Sequence, residues 1–158
     1  MEVVNYYEKP EILRQVSEEV SKDEIKTEEF QKFLADLKQA MLNCPVEEGW
    51  VQVGISAIQV GIPKRVFIAY DNNREDYLYF INPQVEYKGD SQDDKLESCL
   101  SAGDARGIVR RYKRVKIKYL DENGKKQQKK YSGWNARVIQ HEYDHLDGIM
   151  FMDKVIEE

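Results

Sequence analysis

The sequence predicts an α+β fold on three observations: a strongly periodic helix in the first third, strand-type runs through the middle, and a second helix near the end. From Thr27 to Asn43, "TEEFQKFLADLKQAMLN" spaces Phe30, Phe33, Leu34, Leu37 and Met41 along one face of a helix, with acids in its first turn. After Pro45 come "WVQVGISAIQV", "KRVFIAY" and "DYLYFINPQVEY", rich in β-branched and aromatic residues and read as strands. The stretch "GIVRRYKRVKIKYLDENGKKQQKKY" reads as further strand with a hairpin turn at "DENG". The final periodic stretch, Trp134 to Leu146, predicts a helix with Ser132 as its cap and Gly148 as its stop. Helix, strands and helix with few crossovers imply an antiparallel sheet.

A length of 158 residues with 41% hydrophobic content can fill one core, and no repeat or Gly/Ser linker divides the chain, so a single domain over 1–158 is expected. No apolar run is long enough to span a bilayer, which excludes a membrane protein with helical spans. The opening "MEVVNYYEKPEILRQ" does not read as a secretory leader, and a cytoplasmic location is expected. Cys44 and Cys99 lie far apart with no CxxC spacing, so both are expected as reduced thiols. Charge is uneven. The net charge is -5, yet residues 105–131 carry eleven Lys and Arg against Asp121 and Glu122, a local +9. That segment reads either as a solvated hairpin or as a contact surface for the ribosome or nucleic acid, with no sequence-specific nucleic-acid recognition expected.

Both histidines of the chain stand in "VIQHEYDHLDG". On a helix His141 and His145, four residues apart, project from one face and can meet one ion, with Glu142 beside them. Two imidazoles do not fill a tetrahedral site, and a hydrolytic centre needs a third protein ligand and one open position. Cys99, in "KLESCLSAGDARG", follows a strand into a glycine-containing loop and is the better candidate than Cys44, which closes a helix just before Pro45.

With these residues in place, the chain resembles the peptide deformylase family over nearly its whole length. The family pattern QHExDHLxG is complete from Gln140 to Gly148. EGCLS stands as Glu97-Ser98-Cys99-Leu100-Ser101, with serine for glycine. GxGxAAxQ stands as Gln52 to Gln59, matching Gly54, Ala57 and Gln59 and carrying Gln52 and Ser56 in place of the first glycine and first alanine.

The resemblance implies antiparallel sheets packed around a central HExxH helix, with an N-terminal helix. It implies Cys99, His141 and His145 as ligands of one divalent ion, Fe(II) by family behaviour, with zinc, nickel or cobalt compatible with the same donors. It implies Glu142 as proton carrier, and Gln59 with the Leu100 backbone N–H as oxyanion donors, acting on formyl-methionyl nascent peptides. Substrate contacts are implied at Val53 and Gly54 through the main chain, at Arg106, and along Trp134, Arg137 and Val138, with the Arg137 guanidinium expected to reach solvent. Arg111 is implied to pair with Glu97 and hold the cysteine loop. Two other readings compete: a zinc peptidase using HExxH with a downstream acid, and a binding module in which the metal is structural.

Overall fold

The computed structural model describes residues 1–46 and 52–156. Among the described residues, seven strands form two antiparallel sheets. The larger has the order β1 (Gly54–Ser56), β2 (Val66–Asp71), β3 (Asp76–Tyr87), β6 (Arg114–Leu120), β7 (Lys126–Ser132), and the smaller pairs β4 (Gln92–Glu97) with β5 (Gly107–Tyr112). Helix α3 spans Glu28–Leu42 and α4 spans Gly133–His145, preceded by the single turns α1 (Pro10–Leu13) and α2 (Lys22–Ile25).

The apolar run in β2 explains the layering. Successive side chains of a strand point to opposite faces. Val66 and Ile68 pack with Phe30, Leu34, Leu37 and Met41 of α3, while Phe67 and Ala69 pack with Ala136, Val138 and Ile139 of α4. Strand β2 is therefore buried on both sides, with a helix on each. A third cluster joins Leu13, Ile58, Cys99, Ala102, Val109, Met150 and Phe151 between the N-terminal segment and the cysteine loop.

Helix α3 begins where its composition says it should: the Thr27 hydroxyl accepts from the Phe30 N–H at 3.2 Å. At the end of α3, the Gln52 side chain donates to the carbonyls of Leu42 and Cys44. Ser132 stands at the start of α4 but its side chain makes no capping bond. The turn after Leu120 is closed by Gly124, in the left-handed region at φ 77°, donating to Asp121.

Four elements depart from the sequence reading. Residues Ala57–Val60 form a 3-10 helix instead of continuing a strand, because the Gln59 side chain reaches back to accept the Ser56 N–H at 2.8 Å; Trp50 and Val51 of the same run lie outside the described residues. Strand β3 is interrupted by a register shift between Ile81 and Gln84, where Asn82 takes φ 51° and exchanges two hydrogen bonds with the Val20 backbone, next to a proline that cannot donate. The one-turn helices α1 and α2 are too short to leave a periodic signal.

Gly148 ends the helical segment at φ 73°, and a Cβ there would run into the Arg14 backbone carbonyl. Gly148→Ala is expected to cost more than about 1–2 kcal/mol, from left-handed strain plus the backbone clash, read as a lowered midpoint in urea unfolding with an unchanged slope.

Candidate active site

Three segments distant in sequence meet over α4. The helix itself supplies His141, Glu142 and His145; the loop after β4 supplies Cys99; the end of β1 supplies Ser56 and the turn after it Gln59. The Cys99 Sγ and one ring nitrogen from each histidine all lie within 4.8 Å of one another. Cys99 Sγ is 3.4 Å from His145 Nε2. Donors held about 2.0–2.3 Å from one ion stand roughly 3.3–3.8 Å apart, so the Cys99–His145 spacing already fits and the wider contact needs only a small side-chain adjustment.

The tautomer of His141 is set from behind. Its Nδ1 meets Glu97 Oε1 at 2.9 Å, which leaves Nε2 for a ligand. Burial disfavours the charged form of His141, but its contacts with Cys99 and Glu97 outweigh this and raise its pKa well above the usual histidine value. At His145 burial and the neighbouring His141 act together to push the pKa well below that value, which keeps the ring neutral and ready to ligate. One thiol and two imidazoles, with one imidazole oriented by a carboxylate, are a donor set suited to zinc, iron, nickel or cobalt.

Glu142 is 3% exposed. Burial raises its carboxyl above the ordinary glutamate range, against the opposing pull of His141 and Ser56. Its Oε1 lies 2.9 Å from the Ser56 hydroxyl. A Cβ on Gly54 would stand 2.8 Å from the Ile68 carbonyl and 3.0 Å from both Glu142 Cγ and Oε2, so only glycine leaves room for the carboxylate here. Gln59 is buried, its Nε2 directed to Ser101 Oγ at 3.0 Å and Cys99 Sγ at 3.5 Å.

Behind the metal ligands lies a buried ionic network. Arg111 grips both oxygens of Glu97 at 2.9 Å each and reaches Asp144 at 2.6 Å. Lys154 makes a second contact to Asp144 at 3.0 Å. Burial pushes the Glu97 carboxyl up, but its bonds from Arg111 and His141 win and hold it well below the usual carboxylate range.

Arg137 corrects the sequence reading. Its guanidinium does not reach solvent: it bonds Glu97 at 2.6 Å, the Val109 carbonyl at 2.9 Å and Asp93 at 2.8 Å. The acids that attract it sit on β4, far away in sequence. The remaining expected residues are spread more widely. Val138 is buried in the core between α4 and the sheet, and Leu100 is half-buried against the α3 side. Trp134 is 37% exposed at the start of α4, beside Asn72 and Asn73. Arg106 is exposed and bonds the carbonyl of its neighbour Ala105. The Val53 carbonyl is taken by the Tyr70 N–H, and Gly54 pairs with Ala69 on β1, the edge strand of the larger sheet. Ser98 does not take a positive φ, so serine is accommodated there without strain. Sequence reasoning gave no role to Asp93, Asp144 or Ser101; Asp144 and Ser101 stand inside the two family patterns and so offered a signal, whereas Asp93 offered none.

A family model described as polypeptide deformylase matches residues 1–158. The chloroplastic peptide deformylase 1A of Solanum lycopersicum is 34% identical over 161 residues, covering 91% of this chain, and the chain spans 56% of that protein's length. The peptide deformylase of Pelagibacter ubique is 37% identical over 145 residues, covering 90% of this chain and 79% of the relative. Among solved structures, the class I type b peptide deformylase from Acinetobacter baumannii with Met-Ala-Ser bound superposes with a TM-score of 0.83 at 32% identity, over 97% of this chain and 96% of that one.

Proposed function

The chain belongs to the polypeptide deformylase family, and from that premise we propose that it removes the N-formyl group from the initiator methionine of nascent polypeptides, releasing formate. The observation that carries this reading is the convergence of Cys99, His141 and His145 beside the buried carboxylate of Glu142. Cys99, His141 and His145 would hold a divalent ion, Fe(II) in the cell, with zinc, nickel or cobalt able to use the same donors. When bound, the ion supplies Lewis acidity and lowers the pKa of water.

The chain's own groups do the rest. Glu142 accepts a proton from the attacking water at its carboxylate and delivers it to the departing amine nitrogen. The Gln59 amide, with the Leu100 backbone N–H, donates to the oxygen that gains charge as the formyl carbon becomes tetrahedral. The open edge of β1 at Val53 and Gly54 supports strand-like docking of the peptide. The side chain of the first residue is placed along the Trp134–Val138 face of α4. The Met-Ala-Ser peptide bound by the similar Acinetobacter baumannii protein is what a formylated initiator peptide becomes once formate leaves.

Residues 105–131 would make transient contact with the ribosome. Lys116 faces Lys130 directly across β6 and β7, a like-charge pair that costs stability and favours a polyanionic neighbour. No helix among the described residues is long and apolar enough to cross a membrane. Acting on nascent chains, the protein would work in the cytoplasm or an organelle's equivalent.

Purified protein loaded anaerobically with Fe(II) or Ni(II) is expected to release formate from formyl-Met-Ala-Ser, and Cys99→Ala to lose the bound ion by elemental analysis together with at least about a hundredfold of the rate. Cleavage of unformylated peptides that survives Cys99→Ala would instead establish a zinc peptidase. One tightly held ion with no formate released would establish a structural site.

A further inference from the structure

We propose that Ser56 is a positioning residue for this reaction: its hydroxyl fixes the Glu142 carboxylate in the orientation needed for proton transfer. The inference rests on the deformylase reading and on Glu142 as its proton carrier. Ser56 is fully buried, at the end of β1 where the strand passes into the 3-10 turn. Its Oγ stands 2.9 Å from Glu142 Oε1 and 2.9 Å from the Glu142 main-chain carbonyl. The two carboxylate oxygens are thus bounded separately, Oε1 by a hydrogen bond and Oε2 by the space that Gly54 leaves. The carboxylate has little freedom to turn.

A hydroxyl suits this place. It carries one proton, which it donates to a carboxylate or to the unprotonated oxygen of a carboxyl. While Glu142 is ionised, the Ser56 proton points to Oε1. After Glu142 has taken a proton from water on its other oxygen, Oε1 goes on accepting from the Ser56 hydroxyl while the proton stays available to the amine. The contact therefore persists through both halves of the transfer. The Ser56 N–H also donates to Gln59 Oε1 at 2.8 Å, which turns the Gln59 Nε2 toward Cys99 and Ser101. One residue so orients the proton carrier through its side chain and the amide donor through its backbone. Ser56 touches neither substrate nor metal ligand in this scheme, and acts only through Glu142 and Gln59.

The family pattern has alanine at this position, so Ser56→Ala restores a side chain the fold accommodates. With the metal-loaded protein and formyl-Met-Ala-Ser, Ser56→Ala is expected to lower kcat about tenfold, as for loss of a bond to a charged group, with KM, metal content and melting temperature unchanged. Ser56→Thr, which keeps the hydroxyl on extended backbone, restores most of kcat. Ser56→Ala added to Glu142→Ala costs nothing further, which keeps the test decisive should the threonine variant fail to fold. A crystal structure of Ser56→Ala is expected to show the Glu142 carboxylate displaced or in more than one rotamer. Unchanged kcat, a single unchanged Glu142 rotamer, or a loss of kcat that only tracks lost metal overturns the proposal. Wild-type protein that binds metal yet releases no formate overturns the deformylase reading itself, whereas the Glu142 rotamer still reports on Ser56 alone.

Discussion

Glu142→Ala is expected to lower kcat for formate release by about a hundredfold to ten-thousandfold while leaving the metal content of the protein intact. The separation follows from geometry. The donors that converge are Cys99, His141 and His145, and Glu142 is beside them without belonging to the set. Burial raises its carboxyl above the ordinary glutamate range, and the two buried carboxylates behind the site are already engaged: Glu97 is held by Arg111, Arg137 and His141, and Asp144 by Arg111 and Lys154. Glu142→Gln is expected to lose as much, because an amide can still accept from Ser56 but cannot carry a proton. The measurement is steady-state formate release beside elemental analysis of each variant. A Glu142→Ala protein with wild-type kcat would remove Glu142 from the proton path.

Arg111→Ala is expected to lower the melting temperature by roughly 6–20 °C, from about 3–5 kcal/mol for breaking a buried ion pair at about 2–4 °C per kcal/mol in a chain of this size. Arg111 is 3% exposed and joins two carboxylates on different elements, Glu97 at the end of β4 and Asp144 on α4. Burial by itself would disfavour its charge, but Glu97 and Asp144 raise its pKa above the ordinary arginine value. Its removal leaves Glu97 with Arg137 and His141, and Asp144 with Lys154, so the loss is softened without being cancelled. Arg111→Lys is expected to recover little, since a single ammonium cannot reproduce a two-pronged grip on Glu97 and a third bond to Asp144. Because Glu97 also orients His141, metal affinity is expected to fall about 10–100-fold in the same variant. Thermal melts with and without metal, and a competition assay with a chelator, read the two effects apart.

The parts of this molecule that were legible in the sequence are those in which local pattern and tertiary environment agree. Helix α3 was legible because its apolar spacing, its Thr27 cap and its burial coincide. The β6–β7 hairpin was legible because Gly124 marks the turn and β6 before it alternates. His141 and His145 announced a shared face through their spacing alone. What stayed hidden depends on partners far away in the chain. Arg137 looked like an amphipathic arginine bound for solvent, since its helix does not reveal that Glu97 and Asp93 wait on β4. The turn at Ala57 looked like more strand, since the pull of Gln59 on the Ser56 N–H is a side-chain effect that β-propensity does not contain. Ser56 itself was visible only as a departure from a pattern, and its meaning comes from a residue 86 positions later.

The first residues of the chain take part in the site as well. The Val4 N–H donates to the Gln59 carbonyl and the Tyr6 N–H to the Ser101 carbonyl, so the backbone of the N-terminal segment ties down the two loops that face α4. A centre assembled from residues 4–6, 56–59, 97–101 and 141–145 cannot exist in a growing polypeptide that has not yet reached His145. Closing loops of that length carries an entropic cost that must be met before the contacts form, which places completion of the site late in folding. The native state alone then offers the three donors together. Metal and fold are therefore linked by mass action: free ion in excess of its dissociation constant stabilises the finished chain and does nothing for the unfinished one.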